Sequence, residues 1–249
     1  GGAMILKRKI YKKLLEWKKE CQGKKALLIE GARRIGKSTI CEEFGKSEYK
    51  SFLLIDFAKK DKEVEGYFEK YLNDLDTFFM LLQTHFGTKL TERNSLIIFD
   101  EVQMFPQARA AIKYLVADGR YDYIEIGSLI SIRENVKNIV IPSEERHINM
   151  YPLDFEEFAI ALEEDLLVEY IKKCFEKREP LERSMHNQAM LLFHQYMLVG
   201  GMPMPVVTFI ESKKDFTEAD REKRDILKLY REDIMKIDAK YRSKVLAIY

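Results

Sequence analysis

Cysteine is scarce in this chain, and its positions rule out a framework. Cys21, Cys41 and Cys174 are odd in number and far apart. That excludes a disulfide scaffold and any zinc-type spacing, and it makes a reducing, cytoplasmic setting the natural expectation. No apolar run approaches the roughly 20 residues of a membrane-spanning helix, and no signal peptide is visible. Charge of one sign is missing too. The 42 Lys and Arg offset 41 Asp and Glu to a net +1, so the whole chain exerts no strong pull on nucleic acid, although a local basic face stays open. The four histidines are scattered, and His186 and His194, two helical turns apart, have no third metal ligand. Internal repeats and low-complexity linkers are also lacking.

What remains is a soluble globular composition: 249 residues, 46% apolar and 33% charged, enough for one large or two small domains. Gly1-Gly2-Ala3 ahead of Met4 reads as an appended remnant and is set aside. The chain stops in an uncapped apolar run, Val245 to Tyr249, and the natural protein is expected to continue.

The strongest local signal is Gly31-Ala32-Arg33-Arg34-Ile35-Gly36-Lys37-Ser38, which fits the phosphate-binding P-loop pattern G-x-x-x-x-G-K-[ST]. An apolar run, Ala26 to Ile29, precedes it as a buried strand, and a helix-compatible run, Ser38 to Phe44, follows. Strand, glycine loop and helix together aim backbone N–H groups and a helix N-terminus at one anion site. Gly31 and Gly36 allow the tight turn and close approach, Lys37 reaches the β- and γ-phosphates, and the Ser38 hydroxyl holds Mg²⁺.

Along the rest of the chain, apolar positions every three or four residues predict a helix over 4–21, with Leu6, Ile10, Leu14, Trp17 and Cys21 on one face. Its other face is basic and includes Lys9, Lys12, Lys13, Lys18 and Lys19. A solvated helix surface competes there with a nucleic-acid surface. Buried strands are predicted at Ser51–Asp56, Ser95–Phe99 and Tyr123–Ile126, with a fifth, short one at His147–Met150. Between them lie a long amphipathic helix over 62–86, a helix from Pro106 to about Ala117, and a loop over 134–144. Strands alternating with helices imply a parallel sheet covered on both faces, with ligands at the carboxyl ends of its strands. After Pro152 strand-like runs nearly vanish. Helices are predicted over 155–177, 181–199 and 219–241, the last with Ile237 and Tyr241 on its apolar stripe. The domain reading is an α/β core over 4–152 and a helical half over 153–249.

Asp100-Glu101 follows the third strand directly. Downstream of a P-loop, Asp100 is placed to hold Mg²⁺ through water, and Glu101 to orient a water and accept its proton as it attacks the γ-phosphorus. A small-molecule kinase has no need of that glutamate. Ser128, after the fourth strand, offers a hydroxyl near the γ-phosphate or serves as the N-cap of Leu129-Ile130. Arg33, Arg34, Arg133 and Arg146 are the arginine candidates for stabilising transition-state charge.

These motifs, in the order Gly31–Thr39, Ser95–Gln103, Ile124–Ser128, Arg146–Phe158 and Tyr196–Pro203, resemble the prokaryotic AAA-type ATPases that carry a C-terminal DUF4143 domain. The resemblance covers about residues 5–240. The Asp100-Glu101-Val102-Gln103, Tyr151–Phe158 and Gly200-Gly201-Met202-Pro203 segments narrow it to that group. It implies an α/β P-loop NTPase (AAA+/ASCE-like) with a parallel five-stranded sheet and a helical lid, together with ATP, Mg²⁺ and hydrolysis. Gly31, Ala32, Arg33, Arg34, Ile35, Gly36, Lys37, Ser38 and Thr39 match the Walker A segment, Asp100 and Glu101 the Walker B pair, Ser128 a sensor-like position, and Arg146 the arginine before Pro152. Where the family has glycine before that arginine, Glu145 stands here, and the C-terminal domain is missing.

The functional expectation is an ATPase whose hydrolysis changes the angle between core and helical half, read by an unknown protein partner or the missing domain. A nucleotide-gated binding module with little catalysis and a P-loop small-molecule kinase are the alternatives. Nucleic acid rests only on the basic first helix, an oligomer is possible, and no membrane association is expected.

Overall fold

The computed structural model describes residues 4–128, 145–235, 242 and 247. The chain divides into two compact units, Arg8–Tyr151 and Gly1–Lys7 with Pro152–Tyr249.

The first unit is an α/β fold around five parallel strands: β1 (Ala26–Glu30), β2 (Ser51–Asp56), β3 (Ser95–Asp100), β4 (Asp122–Gly127) and β5 (Glu145–Asn149), in the order β2-β3-β4-β1-β5. The central strands β1 and β3 carry apolar runs without alternation because both their faces are covered, and every residue of β3 and β4 is buried. Helix α1 (Ile10–Cys21) buries Ile10, Leu14, Trp17 and Cys21. It starts at Ile10, later than its apolar period suggests. Part of its basic face is engaged locally: the Lys18 ammonium donates to the Glu48 carbonyl and sits 3.9 Å from the Tyr49 ring centroid.

Among the described residues the unit also holds helices α2 (Lys37–Glu48), α3 (Lys62–Lys70), α4 (Leu75–Phe86) and α5 (Pro106–Asp118). The single helix expected over 62–86 is therefore two. The apolar stripe runs through both, with Val64, Phe68, Phe78, Phe79 and Leu82 all buried. The break comes from Asp74, whose carboxylate accepts from Thr77 N at 3.2 Å and Thr77 Oγ1 at 2.6 Å, capping α4. Against the sheet, Phe57, Phe68, Phe99 and Phe105 form a tight group, with Phe57 stacked on Phe105 at 5.3 Å between centroids. Each such ring stabilises the fold by about 1.5–3 kcal/mol through burial.

The second unit is helical: α6 (Phe155–Ala161), α7 (Asp165–Lys177), α8 (Arg183–Val199), α9 (Pro203–Glu211) and α10 (Phe216–Ile234). The expected helix over 155–177 is interrupted at Leu162–Glu164, where Glu163 has φ of 64°. Asp154 and Glu157 form a reciprocal capping box at the start of α6 (2.9 and 3.1 Å). Helix α9 is not foreseen by periodicity. The prolines that look like terminators open it instead, since Pro203 occupies a first-turn position where its missing N–H costs nothing. Leu153, Phe158, Leu167, Leu192, Val206 and Phe209 centre this unit's own core. Gly201 lies against Leu153, whose N–H donates to Gly201 O at 2.7 Å, so the Pro152–Phe158 and Gly200–Pro203 segments meet.

The expected loop over 134–144, Arg133, Leu129-Ile130, Ile237, Tyr241 and the run over 245–249 lie outside the described residues. Among the described residues, no helix is long and apolar enough to cross a membrane.

Candidate functional site

The carboxyl ends of β1, β3 and β4 lie side by side, because Glu30 pairs with Gly127 and Phe99 with Glu125. The loop from Gly31 to Gly36 leaves β1 on this edge and enters α2. Gly36 has φ of 90° and caps α2 without a side-chain acceptor, so the first-turn N–H groups of α2 have no capping side chain, the arrangement in which a helix end can take an anion. Gly31 is needed for a different reason from the one expected. Its φ is ordinary, but a Cβ there would lie 2.4 Å from Met150 O and 2.6 Å from Ile35 Cδ1. The backbone leaving β5, where Met150 N donates to Glu30 O at 2.8 Å, presses against the loop.

Lys37 is buried, and its ammonium donates to Gly31 O at 2.9 Å and Ala32 O at 2.6 Å. Burial lowers its pKa, with Glu101 and Asp100 pulling the other way and Arg33 adding repulsion. Burial raises the Asp100 pKa; the neighbouring Ser38 hydroxyl opposes this, while Glu101 and Asp56, its register partner on β2, add negative charge nearby. A hydroxyl and a carboxylate, hard oxygen donors of the kind Mg²⁺ takes, are thus neighbours where the loop meets the strand end.

Glu101 adopts a left-handed backbone (φ 50°, ψ 44°), and its N–H returns to Asp100 Oδ1 at 2.9 Å. Its carboxylate accepts from the Nε2 amide of Gln103, which is buried. Gln103 closes the Asp100–Gln103 segment that carries the family resemblance, but sequence pattern assigns it no role. Ser128 follows Gly127 directly and so stands level with the start of the loop. Ile35 is fully buried, Arg33 is half-buried, and Ala32, Arg34 and Thr39 are exposed.

Arg146 is not brought to this edge. It pairs with Leu27, three positions before the end of β1, which is about 10 Å along a strand, and its Nη1 bonds Glu20 Oε2 at 2.8 Å. A different arginine, which sequence pattern does not single out, reaches the loop. Arg8 donates from Nη1 to Ile35 O at 2.9 Å and from Nη2 to Tyr151 O at 2.5 Å. Its basic neighbours disguise it as part of a solvated face. Equally unforeseen is a buried cluster in which Arg109 of α5 pairs with Glu145 at 3.0 Å and Glu125 at 3.5 Å. Burial and the neighbouring Glu145 carboxylate push the Glu125 pKa well up.

An AAA domain family model matches residues 23–159, just over half of the chain. Among solved structures, the Aeropyrum pernix Orc1 protein in complex with DNA is similar at 10% identity, over 80% of this chain and 68% of that one, with a TM-score of 0.39. No curated protein matches the chain.

Proposed function

The chain belongs to the AAA domain family, and from that premise we propose that it binds Mg-ATP on Gly31–Thr39 and hydrolyses it. The observation that carries this reading is the buried Lys37 folded back on the Gly31 and Ala32 carbonyls, with the buried Asp100 and then Glu101 at the end of β3 close enough to act on its charge. The loop N–H groups and Lys37 take the phosphates, Ser38 and Asp100 hold Mg²⁺, and Ser128 stands by the γ-phosphate. Magnesium supplies charge neutralisation on the phosphate oxygens when bound. Glu101 accepts the proton of the attacking water. Arg33 lies within the loop and acts on the charge of Lys37.

The Pro152–Phe158 contact with Gly200–Pro203 supports placing the chain in the group with a C-terminal DUF4143 domain. In this reading the core spans 4–152 and a helical subdomain 153–249, hydrolysis changes the relation between them, and a protein partner or further domain responds. Three free, buried cysteines suit a cytoplasmic protein.

Glu101→Gln is expected to keep nucleotide affinity within about twofold and to lower phosphate release by about 10²-fold or more. A variant that turns over at the parent rate removes Glu101 as the base. The amide of Gln103 on the Glu101 carboxylate favours one second reading, a nucleotide-gated module with little catalysis. Tight nucleotide binding with no phosphate release from the unmodified protein selects it.

A further inference from the structure

The chain crosses between its two units at Lys7–Arg8 and at Tyr151–Pro152. One guanidinium touches the residues at both crossings. Arg8 begins the α/β unit, Tyr151 ends it, and the Arg8 side chain bonds the Tyr151 carbonyl at 2.5 Å. Its other arm bonds Ile35 O at 2.9 Å, inside the phosphate-binding loop and immediately before Gly36 and Lys37. We propose that Arg8 is a positioning residue that ties the nucleotide state of the loop to both points where the chain enters the helical unit. This rests on the reading of Gly31–Thr39 as a nucleotide site.

The geometry gives the link little slack. Ile35 is fully buried, so the loop moves as a body with its carbonyl. A planar guanidinium holds two acceptors in a fixed fork, which a flexible ammonium does not. The same loop meets the exit of β5 at Gly31, where a Cβ would lie 2.4 Å from Met150 O. A shift of the loop on engaging phosphates therefore pulls on Tyr151 through Arg8 and on Met150 through Gly31.

The test is hydrogen–deuterium exchange on the full chain with and without Mg-ADP, comparing the parent with Arg8→Met. In the parent, nucleotide is expected to slow exchange in residues 31–40 and to change exchange in residues 153–235 by about threefold or more. In Arg8→Met the first effect persists and the second falls below about a third of its parent size. A purely structural clamp would not separate the two. The proposal is overturned if Arg8→Met keeps the whole response in 153–235, or if the parent shows none there while 31–40 slows. A parent with no slowing in 31–40 overturns the nucleotide reading, and the coupling with it. If Arg8→Met does not fold by circular dichroism, Arg8→Gln, which keeps one donor group without the fork, is read by the same outcomes.

Discussion

Two adjacent acids at the end of β3 have different surroundings, and this divides their work. Asp100 is buried beside Ser38 and Lys37, so it faces the loop. Glu101 is half-exposed, in a left-handed conformation that costs a non-glycine residue about 1–2 kcal/mol. That conformation turns its side chain away from the direction strand continuation would impose, and Gln103 then holds the carboxylate. Losing a hydrogen bond to a charged group costs about 1.5–3 kcal/mol. Gln103→Leu is therefore expected to lower kcat about 10- to 100-fold with nucleotide Kd unchanged, measured by phosphate release beside a binding titration. An unchanged kcat would show that the amide does not position Glu101.

At the scale of elements, β4 carries two buried acids, and each has its own compensation. Asp122 accepts from Tyr49 Oη and Arg93 Nη2, both at 2.7 Å. Glu125 pairs with Arg109 at 3.5 Å, and its pKa is raised by burial first and by the nearby Glu145 carboxylate second. A carboxyl raised in the folded state contributes stability that is fully present below its unfolded pKa, about 4.3, and is lost as pH rises through the folded value. Glu125→Gln mimics the protonated form and escapes that loss. Its stability relative to the parent, from urea denaturation, should grow between about pH 5 and pH 8; a constant difference across that range would contradict the assignment. Strands such as β1 and β3 are legible in sequence because burial on both faces leaves an unbroken apolar run. The P-loop and Asp100-Glu101 are legible because their chemistry needs contiguous residues. Arg8, Gln103 and Arg109 are not, since their partners lie elsewhere in the chain or turn back from a left-handed residue, and no local pattern records that. The breaks at Asp74 and Glu163 are hidden because apolar periodicity runs across them.

At the scale of the molecule, each unit has its own apolar core, around Phe57, Phe68 and Phe99 in one and around Phe158 and Phe209 in the other. Damage to one core should then be felt mainly in its own unit. Gly201 offers a clean way to inflict it. A Cβ there would lie 2.2 Å from Leu153 O and 3.1 Å from Leu153 N, backbone atoms that no rotamer change can clear. The same carbonyl accepts from Tyr196 Oη at 2.8 Å, so it is held in place. Overpacking of this kind costs about 1–3 kcal/mol, and in a unit of this size each kcal/mol moves the midpoint by about 4–8 °C. Gly201→Ala should therefore lower the melting transition of the helical unit by about 5–20 °C in calorimetry, while the α/β unit keeps its own transition and its nucleotide Kd. If both transitions fall together, the two cores are one cooperative structure, and the link through the chain crossings at Arg8 and Tyr151 is stiffer than a signalling contact requires.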